Sequence, residues 1–415
     1  MKFENLLKPI KIGPVEIKNR ISMAPCNVHF SDGLGYPTDQ DMMYYAARAK
    51  GGLGLTIVGA VMANRQDAEA ASLVIPRLDD VSHVGPFQEI VEVVHEFGSK
   101  CFVQLVPGLG RQSRLPRAPV MVPSLVPMEK IPELQIKQLR QVSDRFLPLM
   151  LGAGYGNQKE MTIADITRVV ENYGKSVLLA LYAGFDGIEI HAPHGYLTHQ
   201  FLSPRTNKRT DRYGGSIENR MRFLMELIDV IRATIEDRCA LGVRISADEH
   251  MPGGMTVEDV KIITKECVKR GVDYIHLSDG CMEAQKYFFP EEESDHLLDE
   301  AKQIREGLGV PLITPSVHDP AHGDAAIAAG KTDMISLGRQ LMCDPDWPIK
   351  VQEGREGDIN RCRRDATCLM WLFTEGRVRC AYNPNLGRER FMPEYWPQKK
   401  QGAKLPDSLM RKKKK

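Results

Sequence analysis

The densest concentration of chemistry in the chain is HAPHGYL, His191–Leu197. A short apolar run, GIEI, leads into His191 and marks the end of a strand. His191, His194 and Tyr196 then follow almost at once. Imidazole N–H groups can polarise a carbonyl or phenolate oxygen. A phenol, with an ordinary pKa of about 10, is a proton donor at neutral pH. The same two histidines could instead ligate zinc, but a catalytic zinc site wants a third N, O or S ligand, and none stands out nearby. Plain core packing is the third reading. A second group of residues lies in TPSVHDP and SLGRQLMCDP, where turns lead into helices. Exposed backbone N–H groups at such turns bind phosphate. Gly338 permits close approach and Arg339 adds charge.

These residues need a scaffold, and the sequence alternates apolar β-branched runs with amphipathic stretches. Strands are expected at Arg20–Cys26, Gly54–Ala60, Cys101–Val106, Gly187–His191, Leu241–Ser246, Tyr274–Ser278, Pro311–Pro315 and Met334–Leu337. Helices are expected at Gln40–Lys50, Phe87–Gly98, Ile163–Ala183, Ile217–Ile235, Val257–Arg270, Leu297–Leu308 and Pro320–Ala329. Thr256 before Val257, and Asp319 before Pro320, are N-cap signals, while Gly271 and Gly330 suit helix C-termini. This α/β pattern predicts a closed (β/α)8 TIM barrel spanning residues 1–350. The rival, an open doubly wound sheet, should carry an early G-x-G-x-x-G turn, and there is none. No internal repeat is visible. A Pro-rich insertion after the third strand, 107–160, reads as a lid. Residues 351–415 form a C-terminal extension.

Chemistry on such barrels sits at the C-terminal ends of the strands. That rule selects Cys26, Ala60, Gln104, His191, His194, Tyr196, Arg244, the Thr314–His318 turn and Gly338-Arg339.

The bulk numbers exclude several classes. A net charge of +1 argues against nucleic acid. Nine scattered cysteines argue against a secreted disulfide framework. The N-terminus lacks a signal-peptide core and no run approaches the roughly 18 apolar residues of a membrane span, so a cytoplasmic location is expected. The tail from Arg411 to Lys415 reads as a solvated charged end.

The segment HGYLTHQFLSPRTNKRTDRYGGSIENRMRF, His194–Phe223, resembles the Old Yellow Enzyme family of flavin oxidoreductases. The likeness is to its anaerobic branch, which includes 2,4-dienoyl-CoA reductase, 2-enoate reductase and trimethylamine dehydrogenase. LLKPIKIGPVEIKNRISMAP, GGLGLTIVGA, FVQL, GVRIS and LGRQLMCDPDWP extend the likeness across residues 6 to 348. The resemblance implies FMN across the barrel mouth. Ala24, Pro25, Cys26, Ala60 and Gln104 would line its ring, Arg244 would face its N1–C2 edge, and Ser316, Val317, Gly338 and Arg339 would hold its phosphate. It also implies an ene-reductase: His191 and His194 bind an activating oxygen, flavin N5 delivers hydride to an activated C=C bond, and Tyr196 protonates the neighbouring carbon. The substrate would be an enone, enoate or enoyl-CoA-type small molecule.

The chain departs from the family at three places. Pro107 stands where a histidine follows the third-strand Gln. Met282 stands where dienoyl-CoA reductases carry a further histidine. The branch's [4Fe–4S] motif, C-x2-C-x2/3-C-x11-C, is met by Cys362, Cys368 and Cys380, with Asp365 in the second cysteine's place. Three outcomes follow for that motif: a cluster with Asp365 or solvent as fourth ligand, a degenerate site, or zinc. Members with the cluster usually continue into an FAD- and NAD(P)H-binding module, so the electron donor is expected to be either NAD(P)H or a separate redox partner protein. A flavin-dependent amine dehydrogenase or demethylase and a non-catalytic electron-transfer subunit are the alternatives, and a homo-oligomer is compatible with either.

Overall fold

Each strand of the barrel pairs with the next one in the chain, and the last closes on the first. The computed structural model describes residues 2–66, 74–113, 119–127 and 157–396. Most of the insertion and the whole lysine tail lie outside the described residues.

Eight parallel strands close into a barrel in chain order: β1 (Ile21–Met23), β2 (Leu55–Met62), β3 (Lys100–Val106), β4 (Gly187–His191), β5 (Ala240–Ser246), β6 (Tyr274–Ser278), β7 (Leu312–Pro315) and β8 (Met334–Leu337). Ser336 registers against Ser22 to close the ring. The first strand is shorter than expected because Pro25 has no N–H to continue the ladder, so Ala24–Cys26 form a loop over the mouth. The helices that matter here are α1 (Asp39–Lys50), α2 (Val84–Glu96), α3 (Ile163–Ala183), α4 (Arg222–Ile235), α5 (Val257–Lys269), α6 (His296–Arg305), α7 (Pro320–Ala328), the short α8 (Arg339–Cys343) and α9 (Trp347–Gln352), and α10 (Thr367–Glu375) of the extension, beside short helical turns at Glu4–Leu7, Leu197–Leu202, Ile217–Arg220 and Gln285–Phe288. Capping boxes at Thr38, Thr162 and Thr256 satisfy the first N–H groups of α1, α3 and α5. The expected single helix 217–235 is interrupted at Met221, where Arg220 folds back to donate to the carbonyls of Leu202 and Gly215.

A hairpin, Ile10–Ile12 with Val15–Ile17, plugs the bottom of the barrel and packs on Leu55, Ile57, Phe102, Tyr274, Ile313 and Met334. The interior is tight enough to require glycine. A Cβ at Gly187 would stand 2.8 Å from the Phe102 ring, and one at Gly242 2.1 Å from the Tyr274 ring.

A threefold device at the bottom face was invisible as a sequence repeat. The residue before each of β4, β6 and β8 is an aspartate. Asp186 accepts from the Cys101 N–H and from His95 of α2. Asp273 accepts from the Leu241 N–H and from Arg232 of α4. Asp333 accepts from the Leu312 N–H and from Arg305 of α6. Each carboxylate thus ties an odd strand and its helix to the next even strand.

The extension is anchored by Arg48, whose guanidinium is fully buried. Its Nη1 donates to Glu389 Oε1 at 2.6 Å and its Nε to the Leu341 carbonyl.

Candidate active site

The strand ends converge on a cavity of about 310 Å³ at the C-terminal mouth of the barrel. Ala24, Pro25, Cys26, Ala60, Gln104, Arg244, Ser316, Gly338 and Arg339 all line it, together with His191, His194 and Tyr196. Val317, also selected from the sequence, is not among the lining residues and packs in the core. Met282 forms part of the wall, as do Tyr287, Phe288 and Phe289 from the segment after β6.

The His191 ring stands 4.9 Å from the Tyr196 ring and 5.5 Å from the His194 ring, edge-on to both. His194 adopts a left-handed backbone, φ +66°, and its Nε2 sits 2.6 Å from the Ser278 hydroxyl. Burial, then the Arg244 charge, pushes His191 down to about 3 and His194 well below its ordinary value. Both are therefore neutral, and each offers one ring N–H. His191 Nδ1 is buried without a partner.

Beneath them lies a residue that sequence reading missed. Glu189 points into the barrel two positions before His191, on the same strand face. It accepts from Gln104 Nε2 at 2.7 Å and Tyr274 Oη at 2.9 Å, and contacts His276 Nδ1 at 2.9 Å. Burial alone would raise its pKa, but the hydrogen bonds from His276 and Gln104 and the Arg244 charge hold it below the ordinary carboxylate value. This anion is the counter-charge for Arg244, which is buried and loses basicity to burial while Glu189 restores part of it. Arg244 Nη1 reaches the Pro25 carbonyl, Nη2 the Ser278 hydroxyl, and Nε has no partner.

The residues present fit FMN. The floor is built of small side chains, and a Cβ at Gly338 would close to 3.3 Å of Cys26 Sγ. Unpartnered buried donors, Arg244 Nε and His318 Nδ1, belong to residues of the cavity wall. Arg339 and Arg364 crowd beside the β7 and β8 turns, Arg364 donating to the Ser316 carbonyl. Burial, followed by the Arg339 charge, lowers Arg364. A phosphate there would neutralise that crowding. Arg364 lies in the extension and carried no local signal in the sequence.

Cys362, Asp365, Cys368 and Cys380 come together around a second, small cavity. It shares Arg339, Met342 and Cys368 with the first. Three thiols suit an iron–sulfur cluster. Asp365 is already engaged by the Tyr382 hydroxyl and the Thr367 N–H. A further thiol, Cys343 at the end of α8, stands against Cys380, and its hydrogen bond lowers the Cys380 thiol while Cys343 is raised. A fourth sulfur, absent from the linear motif, therefore lies next to the Cys380 thiol.

The His194–Phe223 segment serves mainly as a buttress. Asn207 Nδ2 bridges the carbonyls of Phe201 and Tyr213, each at 2.7 Å, and Arg205 binds Glu249 at 2.6 Å. Among the described residues, no helix is long and apolar enough to cross a membrane.

Comparison with known proteins agrees with this geometry. The model of the NADH:flavin oxidoreductase / NADH oxidase family matches residues 5–358. An NADH oxidase of Thermoanaerobacter brockii is 35% identical over 393 residues, covering 93% of this chain and 57% of the relative. A cinnamate reductase of Clostridium sporogenes is 32% identical over 418 residues, covering 94% and 59%. The structure of a 2-naphthoyl-CoA reductase in complex with 2-naphthoyl-CoA superposes with a TM-score of 0.81 at 27% identity, over 94% of this chain and 58% of that one. The chain thus spans somewhat over half the length of these relatives. On the match over most of the barrel, the chain belongs to the NADH:flavin oxidoreductase / NADH oxidase family, the Old Yellow Enzyme family that its motifs resemble.

Proposed function

We propose that the chain is an FMN-dependent ene-reductase acting on an enone, enoate or enoyl-thioester. The observation that carries this reading is the pair of neutral imidazoles beside a phenol, above a buried arginine. His191 and His194 hold the activating oxygen of the substrate by their N–H groups and draw electron density from the β-carbon. Tyr196 then gives its phenolic proton to the α-carbon. Bound FMN supplies the hydride. Arg244, with Glu189 as its counter-charge, would supply positive charge to stabilise bound FMN in its reduced form. The cinnamate reductase and 2-naphthoyl-CoA reductase relatives support an activated, carboxyl-derived substrate.

Cys362, Cys368 and Cys380 would hold an iron–sulfur cluster, with Asp365 or Cys343 completing the set. The wall shared by the two cavities supports electron entry from a separate redox partner protein, with NAD(P)H as the competing donor. Rapid flavin bleaching by NAD(P)H alone would make the partner unnecessary.

Anaerobic turnover of enoyl-CoA esters, enones and cinnamates with a strong artificial donor tests the reading. Tyr196→Phe should slow alkene reduction by about 10²–10⁴-fold, the usual share of a general acid, while flavin reduction stays nearly unchanged. Equal loss of both half-reactions would remove Tyr196 from the proton-donor role. Iron and sulfide analysis of anaerobically purified protein tests the cluster.

A further inference from the structure

We propose that the rim of the barrel mouth carries a structural divalent-metal site, suited to zinc, built from His250, Asp279, His296 and Glu300. His250 follows β5 and Asp279 follows β6, while His296 and Glu300 lie one turn apart on α6 and so share a helix face. One ligand atom from each lies within 4.8 Å of all the others. His250 Nε2 is 2.6 Å from Asp279 Oδ1 and 3.8 Å from Glu300 Oε1, and His296 Nε2 is 3.4 Å from the same Oε1. A tetrahedral zinc ion with bonds of about 2.0–2.1 Å spaces its donors roughly 3.3 Å apart. Small side-chain rotations bring the four atoms to that spacing.

Burial gives the second reason. Asp279 and Glu300 are only 6% and 7% exposed. Among the described residues no lysine or arginine pairs with either, and Glu300 Oε2 has no hydrogen-bond partner. Two carboxylates buried side by side are costly unless a cation joins them. The outer arrangement is also that of a metal site. Asp248 faces His250 Nδ1 at 3.5 Å, a carboxylate behind a ligating histidine. The Tyr287 ring stacks on His250 at 3.6 Å, 14° from parallel, and fixes the imidazole plane.

Two nitrogens and two carboxylate oxygens without a thiolate select a borderline ion, and four protein donors with no position left open are the pattern of a structural site. The ion would clamp both ends of the 279–296 segment. That segment carries Tyr287, Phe288 and Phe289, which wall the substrate side of the cavity. It also begins one residue after Ser278, the partner of His194. The metal would therefore set the shape of the pocket without touching the redox chemistry.

The test uses the flavin-loaded protein, stripped with a chelator and titrated with zinc chloride alone, followed by calorimetry, metal analysis and thermal denaturation. Because the free thiols of the extension would compete for added zinc, the parent is compared with His296→Ala and Glu300→Gln. His296 is half exposed, so its removal leaves the core intact, and an unchanged flavin spectrum reports folding. The parent should bind one more equivalent of zinc than either variant and gain a few degrees in Tm that both variants lack. Equal zinc stoichiometry and equal Tm response in parent and variants would overturn the site.

Discussion

At the residue scale, His191 and His194 are held neutral because burial and Arg244 oppose their protonation. The pH profile of alkene reduction should therefore show no histidine ionisation between pH 5 and 8. A break near 6.5 that disappears in His194→Asn would contradict this. Arg339 belongs to the same scale. It lies beside Arg364 at the Gly338 turn, and a charge-assisted bond from it to a bound phosphate would contribute about 1.5–3 kcal/mol. Arg339→Met should weaken FMN binding by roughly 10–100-fold in a fluorescence titration. Unchanged affinity would move the phosphate away from this turn.

At the element scale, the aspartates before β4, β6 and β8 act on stability. They lie at the bottom of the barrel, away from the cavity. Asp273→Ala removes the acceptor for both the Leu241 N–H and Arg232. Denaturant unfolding should show a loss of about 1.5–3 kcal/mol, with FMN affinity unaltered. The Arg48–Glu389 pair joins α1 to the extension, with side-chain exposures of 0% and 3%. Removing one partner strands a buried charge, at a cost of about 3–5 kcal/mol. Glu389→Ala should therefore loosen the extension, seen as faster proteolysis between 351 and 396, before the barrel melts.

At the scale of the whole molecule, acid sensitivity follows from the buried histidines. His29 sits at about 4 and His191 at about 3 in the folded state, against about 6.5 unfolded. Below pH 6.5 the unfolded chain takes up protons that the folded one refuses, so stability falls with pH until the folded values are reached. Each such residue contributes about 1.4 kcal/mol per pH unit in that window. His83, His194, His276 and His318 shift the same way. Asp41, raised to about 6, and Glu300, raised to about 8, oppose them as pH falls, together with the raised Asp346, His250 and His322, but the six lowered histidines outnumber these five. Tm should drop steadily from pH 7 to pH 5, and a flat or rising Tm would contradict the burial of these rings.

The sequence by itself determined the strand order, the barrel and the residues at the strand ends. Those signals are local: β-branched runs, helix caps and a motif read along one segment. Ala24, Gln104, His191 and Arg244 were legible because the C-terminal end of a barrel strand opens on the mouth. The tertiary structure alone decided what those residues rest on. Glu189 looks like any strand residue until Gln104, Tyr274 and His276 close around it. Cys343 belongs to the barrel by position, yet it meets Cys380 of the extension. His250, Asp279, His296 and Glu300 come from three separate loops and helices. Such partners are chosen by packing between distant segments, and no spacing along one strand or helix records that choice.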